Sequence, residues 1–139
     1  MRWYRELPHM SDALMEAYGR TMPEVFANAA RAMMSIMLDV RRVRGALEER
    51  CEVQGDDVEN LLYNWLECVL NKLQVDGNAF TRFHIDMDDR GTRLSAIMKG
   101  ERYDPSRHGM GREVKAVTYH MMSVGRRDGL YYARFLLDL

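Results

Sequence analysis

Three oxygen donors lie near the two ends of the chain: the carboxylates of Asp12 and Asp138 and the α-carboxylate of Leu139. If the first and last strands end beside one another, these groups form an all-oxygen, acidic cluster. Such ligands suit a hard divalent cation, Ca2+ or Mg2+, with backbone carbonyls or water completing the shell. The plainer alternative has Asp12 capping a turn and Asp138 solvated, and on residue types alone it carries more weight. A second set runs from Arg107 to Lys115 and holds Arg107, His108, Arg112, Glu113 and Lys115. Its cations could grip phosphate while Glu113 serves as ligand or base. Glu113 and Lys115, two apart on one strand face, read equally well as solvated charges. His9, His84, His108 and His120 fall on separate elements and read as structural or solvated side chains before ligands. His84 is expected to be exposed. Tyr119 and His120 are neighbours in a strand, so one should be buried and the other exposed. Cys51 has no evident base near it in sequence, and no Walker loop, GxGxxG, GxSxG or HExxH motif occurs.

Composition narrows the class. A chain of 139 residues with 47% apolar and 29% charged residues is long enough for one hydrophobic core and reads as a single domain, 1–139. A net charge of −1 exerts no global pull toward nucleic acid or membrane. The halves differ: residues 1–70 carry 8 Lys/Arg against 12 Asp/Glu, and residues 71–139 carry 12 against 9. A basic surface on the second half and scattered solvated charge are both consistent with that. Cys51 and Cys68 form no CxxC, which argues against structural zinc; one disulfide stays open, and a reducing cytoplasm suits two such residues better. The N-terminus has no apolar core of signal-peptide length, and no run approaches the roughly 18–20 apolar residues of a membrane helix.

Two helices and a set of strands must position these groups. The pattern predicts strands over 2–6 and 13–18, the first stopped at Leu7-Pro8 and the second at Gly19. Thr21 and Glu24 form a capping box with Pro23 in the first turn, and apolar residues then recur at helical spacing to Val40. Arg41, Arg42 and Arg44 follow, where the helix macrodipole favours cations; that reading outweighs contact with nucleic acid. A polar edge strand over 47–53 precedes a second helix over 57–74, whose N-terminus is signalled by Asp56 and Glu59 three residues apart. Strands are expected over 80–87 and 92–99, joined by a tight turn, then a long loop over 100–111, then strands over 114–124 and 130–139. The expected fold is α+β, a two-layer sandwich with two amphipathic helices packed on one face of a mainly antiparallel sheet.

REVKAVTYH at 112–120, preceded by GERYDPSRH at 100–108, resembles the archease family. ELPHMSDALMEAYG at 6–19, the Thr-x-x-Glu-x-Phe-x-Asn-Ala-Ala pattern at 21–30, DDVENLLYNWLECVL at 56–70 and LLDL at 136–139 are similar to further blocks of that family, so the resemblance spans essentially the whole chain. It implies a small cytoplasmic α+β protein, not itself an enzyme, that activates the GTP-dependent RtcB-type RNA ligase of tRNA splicing. The implied action is to promote metal-dependent guanylylation of the ligase's active-site histidine, so that the ligase turns over many times. The resemblance assigns a divalent metal to Asp12 and Asp138, calcium foremost and magnesium or manganese otherwise, with the Leu139 carboxylate adjoining. It makes Glu113 a functional acid and places Arg107 where the family often has lysine; Lys115 and His9 complete the residues expected at the ligase contact. The tRNA is reached through the ligase, GTP only at the ligase active site, and no membrane is involved. Pro8, Met10-Ser11 and Ala13-Leu14 depart from the family pattern, and a leucine in place of glycine at 14 is expected to reshape the loop presenting Asp12.

Two other functions compete. An RNA-binding accessory module would use Lys99, Arg102, Arg107, Arg112 and Lys115, and the near-neutral net charge argues against it. A general chaperone would rest on an apolar surface rich in the 12 methionines, although core filling explains those residues better.

Overall fold

Apolar residues three and four apart close one face of α1 (Met22–Met37), where Val25, Phe26, Ala29, Ala30, Met33 and Met37 are buried. The computed structural model describes residues 2–9 and 11–139; Met1 and Met10 lie outside the described residues, and with Met10 goes one of the N-terminal departures. Thr21 caps α1 as expected, its Oγ1 accepting from the Glu24 N–H at 3.2 Å. Replacing Thr21 with alanine should therefore cost about 1 kcal/mol of stability, read as a lower urea midpoint at unchanged slope.

The first helix is shorter than expected. It ends at Met37, Leu38 is extended, and Asp39 caps a separate 3-10 turn over Val40–Arg42. Asp39 accepts from the Arg41 backbone N–H and pairs with the guanidinium groups of Arg41 and Arg42. These arginines are thus balanced by a local carboxylate past the helix end, not by the macrodipole. In α2 (Val58–Gln74) the cap is Asp57, which accepts from the Asn60 N–H at 2.8 Å, rather than the Asp56 and Glu59 pair.

The strands are β1 (Tyr4–Leu7), β2 (Ala13–Gly19), β3 (Leu47–Gln54), β4 (Asn78–Met87), β5 (Arg93–Arg102), β6 (Ala116–Arg127) and β7 (Leu130–Asp138). All pair antiparallel, but they divide between two sheets: β1-β2-β7-β6 and β3-β5-β4. The α+β class and the helices on the inner side are as expected; the one continuous sheet is not. The polar strand β3 is an edge, as its composition predicts. Each helix touches both sheets, α1 against β2, β7 and β4, α2 against β6, β4 and β3. Trp65, wholly buried on α2, joins the layers: its indole N–H donates to the Phe26 carbonyl at 2.9 Å and its ring meets Phe83 edge-on.

Three other expectations change. The loop over 100–111 contains the end of β5 and a short helix, α3 (Pro105–His108). His84 is exposed as expected, but Tyr119 and His120 are both exposed. The β6 register shifts between Thr118 and Ser123, with Met121 at φ 61°, and this bulge breaks the alternation. Cys51 on β3 and Cys68 on α2 are paired; their Cα atoms lie 7.7 Å apart, wider than most disulfides span, so the contact ties strand to helix whether or not the sulfurs are oxidised. No helix among the described residues is long and apolar enough to cross a membrane.

Candidate functional site

Antiparallel pairing of β2 with β7 brings the two ends of the chain together. Ala13 pairs with Leu137, so Asp12, one residue before, is level with Asp138, one residue after. Ala13, Met15 and Ala17 face the core together with Ala133, Phe135 and Leu137. Alternation therefore turns Asp12 and Asp138 to the outer face of the sheet, on neighbouring strands. Asp12 is half-buried, Asp138 exposed and Leu139 half-buried. Two adjacent carboxylates are a hard-oxygen donor pair that fits part of a calcium or magnesium shell. Among the described residues no three His, Cys, Asp or Glu side chains gather as a ligand set, so backbone carbonyls and water would have to complete it. Leu14 needs no glycine: it lies in the β2 ladder opposite Leu7 and Leu136, without positive φ, so the sequence departure leaves the strand that presents Asp12 regular.

The next strand edge carries Lys115. Its N–H donates to the Asp138 carbonyl at 2.7 Å, just ahead of the first β6 residue. Glu113 and Lys115 are thus not inside the strand but on the segment leading to it, and both are exposed. That segment is held where helix ends need partners. The Gly111 and Arg112 N–H groups satisfy the Met37 and Ile36 carbonyls at the end of α1, at 2.7 and 2.9 Å. At the end of α2, the Gln74 amide donates to the Val114 and Lys115 carbonyls. A Cβ at residue 111 would collide with the Ile36 carbonyl oxygen, which makes glycine necessary there. Arg112 grips Glu6 of β1 through two hydrogen bonds, at 2.6 and 3.1 Å. Glu113 and Lys115 therefore project from a braced backbone.

Arg107 and His9 stand apart from that row. His9 is exposed on the β1–β2 connection. Arg107, on α3, binds Glu101 of β5 at 2.9 Å. Glu101 also accepts from the Arg44 N–H, and this bond, ahead of opposing burial and the Arg107 guanidinium, holds its carboxyl below the usual range. His108 is fully buried beside them: its Nδ1 accepts from the Asp104 N–H at 3.0 Å, which leaves the proton on Nε2, 3.5 Å from Glu101. Sequence spacing groups His108 with Arg107, and His108 there reads as structural or solvated before a ligand; nothing in the sequence shows that His108 and Glu101 are both buried and that Glu101 holds Arg107.

The whole architecture has a family counterpart. The family model described as the Archease protein family (MTH1598/TM1083) matches residues 4–139. The chain belongs to the archease family. It is 40% identical over 131 residues to the protein archease of Methanothermobacter thermautotrophicus, covering 93% of each chain. It is 36% identical over 131 residues to that of Sulfolobus acidocaldarius, covering 94% of each. The solution structure of Methanobacterium thermoautotrophicum protein 1598 superposes with a TM-score of 0.82 at 38% identity over the full length of both chains. The Thermotoga maritima structure titled an archease and possible chaperone shares the fold, with a TM-score of 0.67 at 17% identity and coverage of 100% and 98%.

One feature of this archease went unread in its sequence. Glu16 of β2 is fully buried on the outer sheet face, between the Asp12 end and the far end of the same strand. It accepts from Arg134 Nε and Nη2 at 3.1 and 2.9 Å, from Arg127 at 2.9 Å and from the Tyr18 hydroxyl at 2.5 Å, with Arg5 at 3.4 Å. Burial pushes its carboxyl up, but the Tyr18, Arg134 and Arg127 donors outweigh it and hold the group at about 2. By contrast, three cations singled out from sequence are already paired: Lys99 with Glu48, Arg107 with Glu101 and Arg112 with Glu6.

Proposed function

We propose that this archease is a non-enzymatic activating partner of an RtcB-type RNA ligase in tRNA splicing, acting in the cytoplasm. The observation that carries the reading is the side-by-side placement of Asp12 and Asp138, flanked by the braced segment that bears Glu113 and Lys115. Asp12 and Asp138 would hold a divalent cation, calcium foremost, and such a cation supplies charge neutralisation to an approaching phosphate. Lys115 offers a compact positive charge beside that pair, and Glu113 an exposed carboxylate. The bracing by both helix ends fixes the distance between them before any partner arrives. Beside Glu113 a groove of about 280 Å3, lined in part by Met37, Leu73, Tyr103, Met110 and Val114, gives a partner apolar anchors next to the charged row.

The test is RNA ligation by the cognate ligase at substrate in large excess. Addition of this protein should convert a burst of about one product per ligase into many turnovers, in the presence of GTP and divalent metal. A ligase that already turns over fully without it, or that stays at one turnover with it, defeats the proposal. Equal suppression of aggregation for unrelated client proteins, with no effect on ligation, would favour the chaperone reading instead.

A further inference from the structure

The outer face of the four-stranded sheet changes character along its length. Down the β2–β7 ladder the outward pairs are Leu14 with Leu136, Glu16 with Arg134 and Tyr18 with Tyr132, following the Asp12 and Asp138 level. The Tyr18 level is six residues from Asp12, or about 20 Å along the strand. Both helices pack on the other side; on this face Leu14, Glu16 and Leu136 are themselves buried, and the exposed surface comes from the arginine and tyrosine side chains around them. At the tyrosine end, Arg5, Arg127 and Arg134 surround one buried carboxylate, three positive charges against one negative. Their side chains are 56%, 46% and 33% exposed, so each keeps N–H donors turned to solvent.

Three of the four cation–π pairs among the described residues lie at outward positions of this end: Arg127 over Tyr132 at 4.7 Å, Arg20 over Trp3 at 5.5 Å and Arg5 over Tyr18 at 6.0 Å; Arg126 over Tyr131, at 5.1 Å, is on the helix-facing side, where Tyr131 packs against the core. Glu16 therefore does more than balance charge. It anchors the arginines so that their planes and donors are ordered before a ligand arrives. The Ser123 and Tyr132 hydroxyls, bonded to one another at 2.9 Å, lie on the same face and add a donor and an acceptor.

From this arrangement we infer that the basic, tyrosine-rich end of the outer sheet face binds single-stranded RNA. Ordered guanidinium groups meet phosphodiesters, and guanidinium planes and aromatic rings stack on unpaired bases. A duplex hides its base faces, and an acidic peptide has none, so neither uses the stacked planes. The Ser123–Tyr132 hydroxyl pair is suited to a ribose 2′-hydroxyl. The site stands on this geometry and is independent of the ligase reading; it also differs from the loop cations around Arg107 and Arg112.

Trp3 reports on this end directly, because it is half-exposed beneath Arg20 while Trp65 is wholly buried in the core. Titration with a dodecauridylate at low salt should quench Trp3 fluorescence. The affinity should fall with salt at a log–log slope of about −2, as expected for three phosphates neutralised on a single strand. The double substitution Arg5→Gln, Arg127→Gln should weaken binding at least 10-fold when measured well below its melting temperature, which should itself fall because Glu16 loses two partners. Substitution of Arg20, which stacks on Trp3, leaves Glu16 untouched, and Arg20→Gln must also weaken binding. Absence of binding at low salt, binding indifferent to both variants, or equal affinity for duplex RNA or polyglutamate overturns the site. Equal affinity for the deoxyuridylate dodecamer overturns the assignment to RNA.

Discussion

Calcium at one hundred times its dissociation constant should stabilise this archease by about 2.7 kcal/mol, and the gain should vanish in both Asp12→Ala and Asp138→Ala. Neither aspartate side chain makes a hydrogen bond or ion pair among the described residues, and the strand bond at residue 138 uses its backbone carbonyl. Removal of either carboxylate therefore costs the fold little, within about 0.5 kcal/mol without metal. Relief of repulsion between adjacent carboxylates could even raise stability slightly. Loss of one ligand should weaken cation binding by at least about 10–100-fold, the range lost when even an outer partner of a ligand is removed. In ligation assays the same variants should return the ligase to a single turnover. Titration of calcium, magnesium and manganese against melting temperature separates two failures. An unchanged metal shift in Asp138→Ala sinks the cation site, whereas full ligase activation by variants that no longer bind metal sinks the coupling of that site to the ligase.

Legibility in the sequence followed the range of the interaction. Helical spacing and the Thr21 cap are local, and both helices fall close to where the pattern puts them. The meeting of Asp12 with Asp138 was readable only in outline: the sequence suggested that the first and last strands end together, whereas it is the start of the second strand, β2, that pairs with the end of β7. Division of the strands into two sheets was not readable. Nothing local in β5 says that its partners are β3 and β4 rather than β6. The Met121 bulge was hidden for a different reason: periodicity assumes an unbroken pleat, so Tyr119 and His120 were assigned opposite sides. Glu16 lies in a weakly alternating segment, and its arginines arrive from 111 and 118 residues away. A buried carboxylate among apolar neighbours looks like an error in a strand until those partners fold onto it.

That same cluster sets how the protein should respond to acid. The Glu16 carboxyl is lowered from 4.5 to about 2, so it binds protons less readily in the folded chain than in the unfolded one. Its contribution is fully present above pH 4.5 and is lost as pH falls toward 2. The shift corresponds to on the order of 2–3 kcal/mol, allowing for solvent screening of the half-exposed arginines. Glu16→Gln keeps the shape of the side chain and removes the charge. At pH 7 this variant should be less stable than the wild type by that amount, with urea rather than guanidinium salt as denaturant to avoid screening the arginines. As pH falls from 5 to 2 the two midpoints should converge, because the wild-type carboxyl becomes neutral while the amide does not change. A gap that is constant across the range would mean that Glu16 contributes through packing alone. A gap that closes marks it as the charge around which the arginines on the outer face are ordered.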